Sequence, residues 1–232
     1  VVVSALDKIT NALEKRVEAH FSNNDLSPHF SSLKNFHTNI ITDLFGEQNN
    51  EAAESLTKIL HYCETYLQHN KNTPYDEVYD QIIPAGELLS SKILAAYLKK
   101  NSLKVEWLDA RKILITDSRH RKAKPNFSES EKLLNEKLQE DKINLIQGFI
   151  GGTDGNLMTT IGREGSDYSA ALFANFSNAK KLVVWKDVDG VLNADPRYFD
   201  TPELIESLNY KEAIELSFYG ATIIHPKTIQ PL

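Results

Sequence analysis

Apolar residues recur at helical spacing through the first part of the chain. Ile9, Leu13 and Val17 follow the β-branched opening Val1-Val2-Val3-Ser4, so the pattern predicts a strand, a turn at Ala5 to Asp7, and an amphipathic helix. Ser4 falls in the turn and Thr10 in the first helical turn, where a hydroxyl either caps the helix or meets a ligand. Over residues 21–81 the composition shifts to polar helices. Phe36, Ile40, Ile41 and Leu44 form one stripe, and Leu56, Ile59, Leu60, Cys63 and Leu67 form another, with Asn-rich breaks between them. This region reads as an all-helical insertion on one end of a sheet. A further helix starts at Pro84-Ala85-Gly86-Glu87 and runs through Leu98, with Glu87 in its first turn, where a carboxylate suits the helix dipole.

Short apolar runs then predict strands at Leu103 to Leu108, Ile113 to Thr116 and Ile143 to Gln147. The last of these runs into Gln147-Gly148-Phe149-Ile150-Gly151-Gly152, and a second strand, Leu157 to Ile161, runs into Gly162-Arg163-Glu164-Gly165-Ser166-Asp167. Gly148 and Gly151 lack a Cβ, so backbone N–H groups there can approach an anion. Ser166 or Asp167 is expected as the N-cap of the next helix, Tyr168 to Phe176, whose free N–H groups offer a second anion site. Lys181 to Lys186 predicts a strand, with Asp187 and Asp189 just beyond its carboxyl end, the usual ligand side of an open parallel sheet. A capped helix is expected from Asn209 to Tyr219. The basic run Arg119 to Lys124 reads as a solvated loop, and His225 as a turn or packing residue.

Bulk properties narrow the partners. The chain has 232 residues, is 41% hydrophobic and 25% charged, and carries a formal charge of −6, which disfavours nucleic acid and anionic membranes as general partners. No apolar run approaches the roughly 20 residues that cross a bilayer. Cys63 is the single cysteine, so no internal disulfide forms, which fits a reducing, cytoplasmic compartment. The histidines of the helical region lack metal-ligand spacing. Asp187 to Tyr198 opens like a calcium loop but ends on Tyr198, where a Glu ligand belongs. Neither G-x-x-x-x-G-K-[ST] nor G-x-G-x-x-G occurs, which removes the two commonest nucleotide fingerprints.

Taken together, VVVSALDKITN (1–11), GELLSSKILAAYL (86–98), GFIGG (148–152), TTIGREGSDYSAAL (159–172), WKDVDGVLNADPR (185–197) and LNYKEAIELSFYGATIIHPKTIQPL (208–232) resemble the aspartate kinase branch of the amino-acid kinase family. The last block is most similar to the kinase part of bifunctional aspartate kinase–homoserine dehydrogenases. The resemblance implies an α/β fold, a three-layer α/β/α sandwich on a mostly parallel open sheet. It spans residues 1–232 as one catalytic domain lacking its first and last strands, with the helical insertion at 21–81. The implied reaction transfers the ATP γ-phosphoryl group to the β-carboxylate of L-aspartate, the first step toward lysine, threonine and methionine. Gly148, Gly151 and Asp167 are the implied catalytic positions. Ser4, Thr10, Glu87, Arg163, Ser166 and Asp167 would bind the substrate, and Lys186, Asp187, Val188, Leu192 and Arg197 the nucleotide. Mg²⁺ would arrive with ATP, without metal ligands from the protein, and the full-length protein would be a homo-oligomer.

Three departures from the family pattern matter. The family begins with a strand ending in K-F-G-G, whose lysine neutralises the transferring phosphoryl group, and this sequence starts after it. A second family lysine is Thr222 here; Lys186 stands where the family commonly has a threonine before the aspartate, and Lys227 is nearby in sequence, two candidates for its substitute. The sequence also stops before the family's final strands and ACT domains. The expectation is therefore a piece of a longer enzyme with weak or no activity by itself. Two other readings stay open: an amino-acid kinase with a different acceptor (glutamate, carbamate or a nucleotide), and a non-catalytic nucleotide-binding or assembly domain.

Overall fold

The computed structural model describes residues 1–22, 27–46, 50–162, 164–219 and 223–232. Its centre is a parallel sheet in which β3 (Ile143–Gln147) lies between β1 (Val2–Val3) and β2 (Val105–Leu108), with Val2 opposite Ile146 and Val105 opposite Ile143. Apolar β3 takes the middle because a central parallel strand is covered on both faces, and Leu145 and Ile146 are both buried. Alternation along β3 assigns the faces. Gln147 points to α5 (Ala85–Lys100), where its Nε2 donates to Ser91 Oγ at 3.1 Å, while Ile146 joins a core with Leu134 of α6 (Phe127–Lys137) and Leu172 of α7 (Gly165–Phe176). The result is α5, then the sheet, then α6 and α7: the three-layer α/β/α arrangement the sequence predicts.

Helix α5 is buried nearly all round, from Ala85 through Ser91 and again at Ile93, Ala95 and Ala96. A helix without a polar face belongs inside a protein, and α5 packs between the sheet and α3 (Glu51–His69). Burying a residue such as Leu89 or Ile93 there stabilises the fold by about 1.5–3 kcal/mol each. Around α3 and α5 stand α1 (Ile9–Phe21), α2 (Ser27–Phe45) and α4 (Tyr75–Ile82), sharing one apolar core that includes Leu13, Val17, Leu60, Cys63 and Ile82. The helices α2, α3 and α4 therefore pack around α5 and α1, and α4 meets a strand, packing on β5 (Met158–Thr160). Strand β5 pairs antiparallel with β4 (Ile150–Gly152) as a hairpin beside the main sheet.

Several expected elements differ. Ile113 to Thr116 form no strand, only single bridges from Ile115 to Gly152 and from Thr116 to Pro125, because the chain first coils into a 3₁₀ turn at Ala110–Lys112 capped by Asp109. Residues 181–185 are not a strand either. They line a cavity of about 420 Å³ together with Val1 and Val2 and pair with no strand among the described residues, and backbone without a hydrogen-bonded neighbour is no sheet. The helix predicted near the end forms as α8 (Tyr210–Phe218) with a reciprocal capping box between Asn209 and Glu212, and His225 caps the short α9 (Pro226–Ile229).

Candidate functional site

The carboxyl end of β1, the start of α5, the residue 118–124 loop and the start of α7 enclose a cavity of about 1040 Å³. Ser4, Thr10, Glu87, Ser166, Asp167 and Lys186, all anticipated from the sequence, line it. Neither Ser4 nor Thr10 caps α1, whose N-cap position is Lys8 with no side-chain bond, so both hydroxyls remain at the cavity. Ser90 Oγ of α5 donates to the Ser4 carbonyl at 2.6 Å and so fixes the β1 turn over the helix that carries Glu87.

Glu87 is the chemically distinctive group. It is 3% exposed, and its Oε2 has no hydrogen-bond partner among the described residues. Burial pushes its pKa up to about 8, against the pull of the backbone N–H groups of Glu87 and Ala5. At neutral pH it is therefore mainly protonated, and a cation placed beside it would ionise it.

The two glycine turns press directly on each other. A Cβ on Gly148 would lie 2.8 Å from the Ser166 Cα, and one on Gly165 would lie 2.2 Å from the Phe149 ring. Phe149 adopts positive φ and donates its N–H to Ser169 Oγ at 2.8 Å, which clasps the first turn to the second helix. The N-cap of helix α7 falls two to three residues earlier than the Ser166 or Asp167 cap predicted from the sequence. Its N-cap is Glu164, held left-handed at φ 54° and making no side-chain cap bond. That conformation turns the chain into the helix at Gly165, so Ser166 and Asp167 occupy the first helical turn at the cavity edge. Gly151, by contrast, lies in β4, where a Cβ would meet the Leu114 carbonyl at 2.6 Å, and neither it nor Gly148 lines the cavity wall.

Charges in the cavity are mostly paired. Lys186 Nζ lies 2.8 Å from Asp167 Oδ2, an ion pair outside good hydrogen-bond alignment, and 3.9 Å from Glu164. Lys227 stands apart, donating to the Ile161 carbonyl at 2.8 Å over the Tyr168 ring, so of the two lysines considered as substitutes only Lys186 reaches the cavity. Asp187, Val188, Leu192 and Arg197 do not line it. Val188 is exposed, Leu192 bridges Leu204, and Arg197 forks onto Asp195 at 2.6 Å. Arg163 and Thr222 lie outside the described residues.

Reading the sequence missed one wall. The basic run taken as a solvated loop places His120, Arg121 and Lys122 on the cavity, with Asp76 and Tyr79 of α4 beside them. The hidden signal was Asp80, one helical turn from Asp76, which is fully buried beneath the loop.

The whole chain, residues 1–232, matches the amino acid kinase family. Among curated relatives, the chloroplastic bifunctional aspartokinase/homoserine dehydrogenase 1 of Arabidopsis thaliana is 33% identical over 100% of this chain and 26% of its own length. The lysine-sensitive aspartokinase 3 of Escherichia coli strain K12 is 29% identical over 100% of this chain and 51% of its own. The crystal structure of E. coli aspartokinase III with lysine and aspartate superposes at a TM-score of 0.88 with 28% identity, covering 100% of this chain and 52% of that one. The same enzyme with aspartate and ADP gives 0.86 at 28% identity, with the same coverage. The chain thus spans about a quarter to a half of the length of these relatives. With a three-layer α/β/α sheet, two opposed glycine turns and a match along its full length, this chain belongs to the amino acid kinase family.

Proposed function

We propose that this chain is the kinase portion of an aspartate kinase, moving the ATP γ-phosphoryl group to the β-carboxylate of L-aspartate to give 4-phospho-L-aspartate and ADP, the opening step toward lysine, threonine and methionine. The observation that carries the reading is Glu87. A buried, mostly protonated acid with an unpartnered oxygen at the wall of a large polar cavity suits the α-ammonium of an amino acid, which would fill the vacant hydrogen bond and draw the group into its ionised form. Support also comes from relatives of the same fold crystallised with aspartate and with ADP.

The chemistry asks little of a base. The acceptor carboxylate is already ionised at neutral pH, so the protein contributes alignment and charge neutralisation. Ser4, Thr10 and Ser166 would orient the acceptor by hydroxyl and backbone contacts, and Arg163 would grip a carboxylate through its planar fork. Asp167 would complement the amino group while holding Lys186 in place. The first-turn N–H groups of α7 and the turn at Gly148 would offset negative charge on the phosphates, and Gly151 would let the β4 backbone pack closely behind that turn. Asp187, Val188, Leu192 and Arg197, on the segment following Lys186, would meet the rest of the nucleotide. Mg²⁺ would arrive with ATP, carried mostly by phosphate oxygens and water. Bound there, Mg²⁺ would offset phosphate charge.

The test is acyl-phosphate trapping with hydroxylamine after incubating the chain with ATP and each acceptor. We expect slow hydroxamate formation with L-aspartate, much less with L-glutamate, and loss of it in Arg163→Ala. Equal product from L-glutamate, or no binding of L-aspartate by calorimetry, would overturn the assignment.

A further inference from the structure

The loop that reads from the sequence as a solvated basic run is instead a built wall. Asp80 lies fully buried beneath it and accepts from Thr160 Oγ1 at 2.7 Å and from the Arg121 N–H at 2.9 Å, with His120 Nδ1 at 3.0 Å. Burying a carboxylate is costly unless each oxygen is satisfied, so a loop with only solvent to face would not retain this arrangement. The loop is closed at its ends as well. Lys124 N–H donates to Asp117 Oδ1 at 2.9 Å, and Ala123 N–H donates to the Thr160 carbonyl at 3.0 Å.

What this clamp presents is a cation. Arg121 adopts φ 63° and turns its guanidinium back to Asp76 at 3.2 Å, to Glu14 at 4.0 Å and over the Tyr79 ring at 4.5 Å. Lys186 is already paired with Asp167. Lys122 alone among the cavity's described lysines and arginines has no ion pair there, and it is exposed where it lines the cavity. It follows Arg121, whose carbonyl lies 3.4 Å from where a Gly162 Cβ would stand, and both Lys122 and Gly162 line the cavity. Glu14, Asp76, Glu164 and Asp167 crowd the same cavity in a chain of charge −6, and an anion entering it needs an uncommitted cation.

We infer that Lys122 binds the carboxylate end of the acceptor amino acid, and that Asp80 is a positioning residue that holds the loop carrying it. This rests on reading the cavity as an acceptor site. It adds a charged contact to the cavity that Glu87 also lines and leaves the nucleotide to other groups.

Calorimetry of wild type, Lys122→Ala, Lys122→Arg and Asp80→Asn with L-aspartate and, separately, ATP tests it. Lys122→Ala should weaken L-aspartate about tenfold or more, and leave ATP within about twofold. Lys122→Arg should restore part of the loss. Asp80→Asn should weaken L-aspartate too and, unlike Lys122→Ala, speed amide exchange at residues 119–124. Unchanged L-aspartate binding in Lys122→Ala, or a loss confined to ATP, would overturn the inference and leave the aspartate kinase reading standing. If wild type binds L-glutamate rather than L-aspartate in a Lys122-dependent way, the reading of the acceptor falls and the inference survives. If no amino acid depends on Lys122, the inference falls.

Discussion

Leu89, Leu114, Leu145, Ile150 and Leu172 are fully buried, whereas in the segment from Lys181 to Tyr219 Trp185 is 92% exposed, Tyr198 is 78% exposed and α8 buries no residue. Both regions carry clear apolar patterns, and INLIQ at β3 and LVVWK at 182–186 look alike as strand sequences. The first has β1 on one side and β2 on the other; the second faces a cavity. A β-branched run becomes a strand only where a neighbour completes its hydrogen bonds, and apolar side chains stabilise only what they are packed against. The site follows the same division. Glu87, Ser4 and the α7 turn stand on buried elements, whereas the proposed nucleotide positions beyond Lys186 stand on the exposed segment.

The contrast can be broken at its tightest point. In Gly152→Ala the new Cβ would lie 2.1 Å from the Arg111 carbonyl oxygen, a backbone atom that cannot step aside. We expect a loss of about 3 kcal/mol or more, read as a lowered denaturant midpoint or failure to fold. A variant as stable as wild type would show that the β4 packing is looser than described here.

A pair of truncations sharpens the comparison. Leu172→Ala empties a fully buried site and should cost about 2–5 kcal/mol, while Phe218→Ala, at a side chain 79% exposed, should change stability by about 0.5 kcal/mol or less. Equal losses by thermal melts would erase the distinction between the two regions.

Much of this division was legible in the sequence. The buried strand β3, the helix α5 with its acid, the Asn209 capping box and the two glycine turns all follow from local chemistry: apolar runs, a side chain at the right offset, residues without a Cβ. Three features were not. The left-handed Glu164 moves the start of α7 by tertiary constraint, since Glu has no local preference for positive φ. LVVWK carries strand propensity without saying whether a partner exists. The bond between Asp80 and the residue 118–124 loop joins positions about forty apart in the chain, and neither end reveals the other.

Glu87 supplies the sharpest chemical effect. Because its pKa is raised in the fold to about 8 from 4.5, the native state holds a proton that the unfolded chain releases between those values. Stability should therefore be greatest below pH 4.5 as far as this group is concerned, and decline as pH rises toward 8, by on the order of a few kcal/mol at most. Glu87→Gln should remove that slope in melts across the same range.

Titrating L-aspartate into the chain near pH 7 in two buffers of different ionisation enthalpy tests the central claim most directly. If the α-ammonium ionises Glu87, binding releases about one proton, tightens as pH rises toward 8, and loses the release in Glu87→Gln. Binding with the same heat in both buffers, or proton release that persists in Glu87→Gln, would contradict the account.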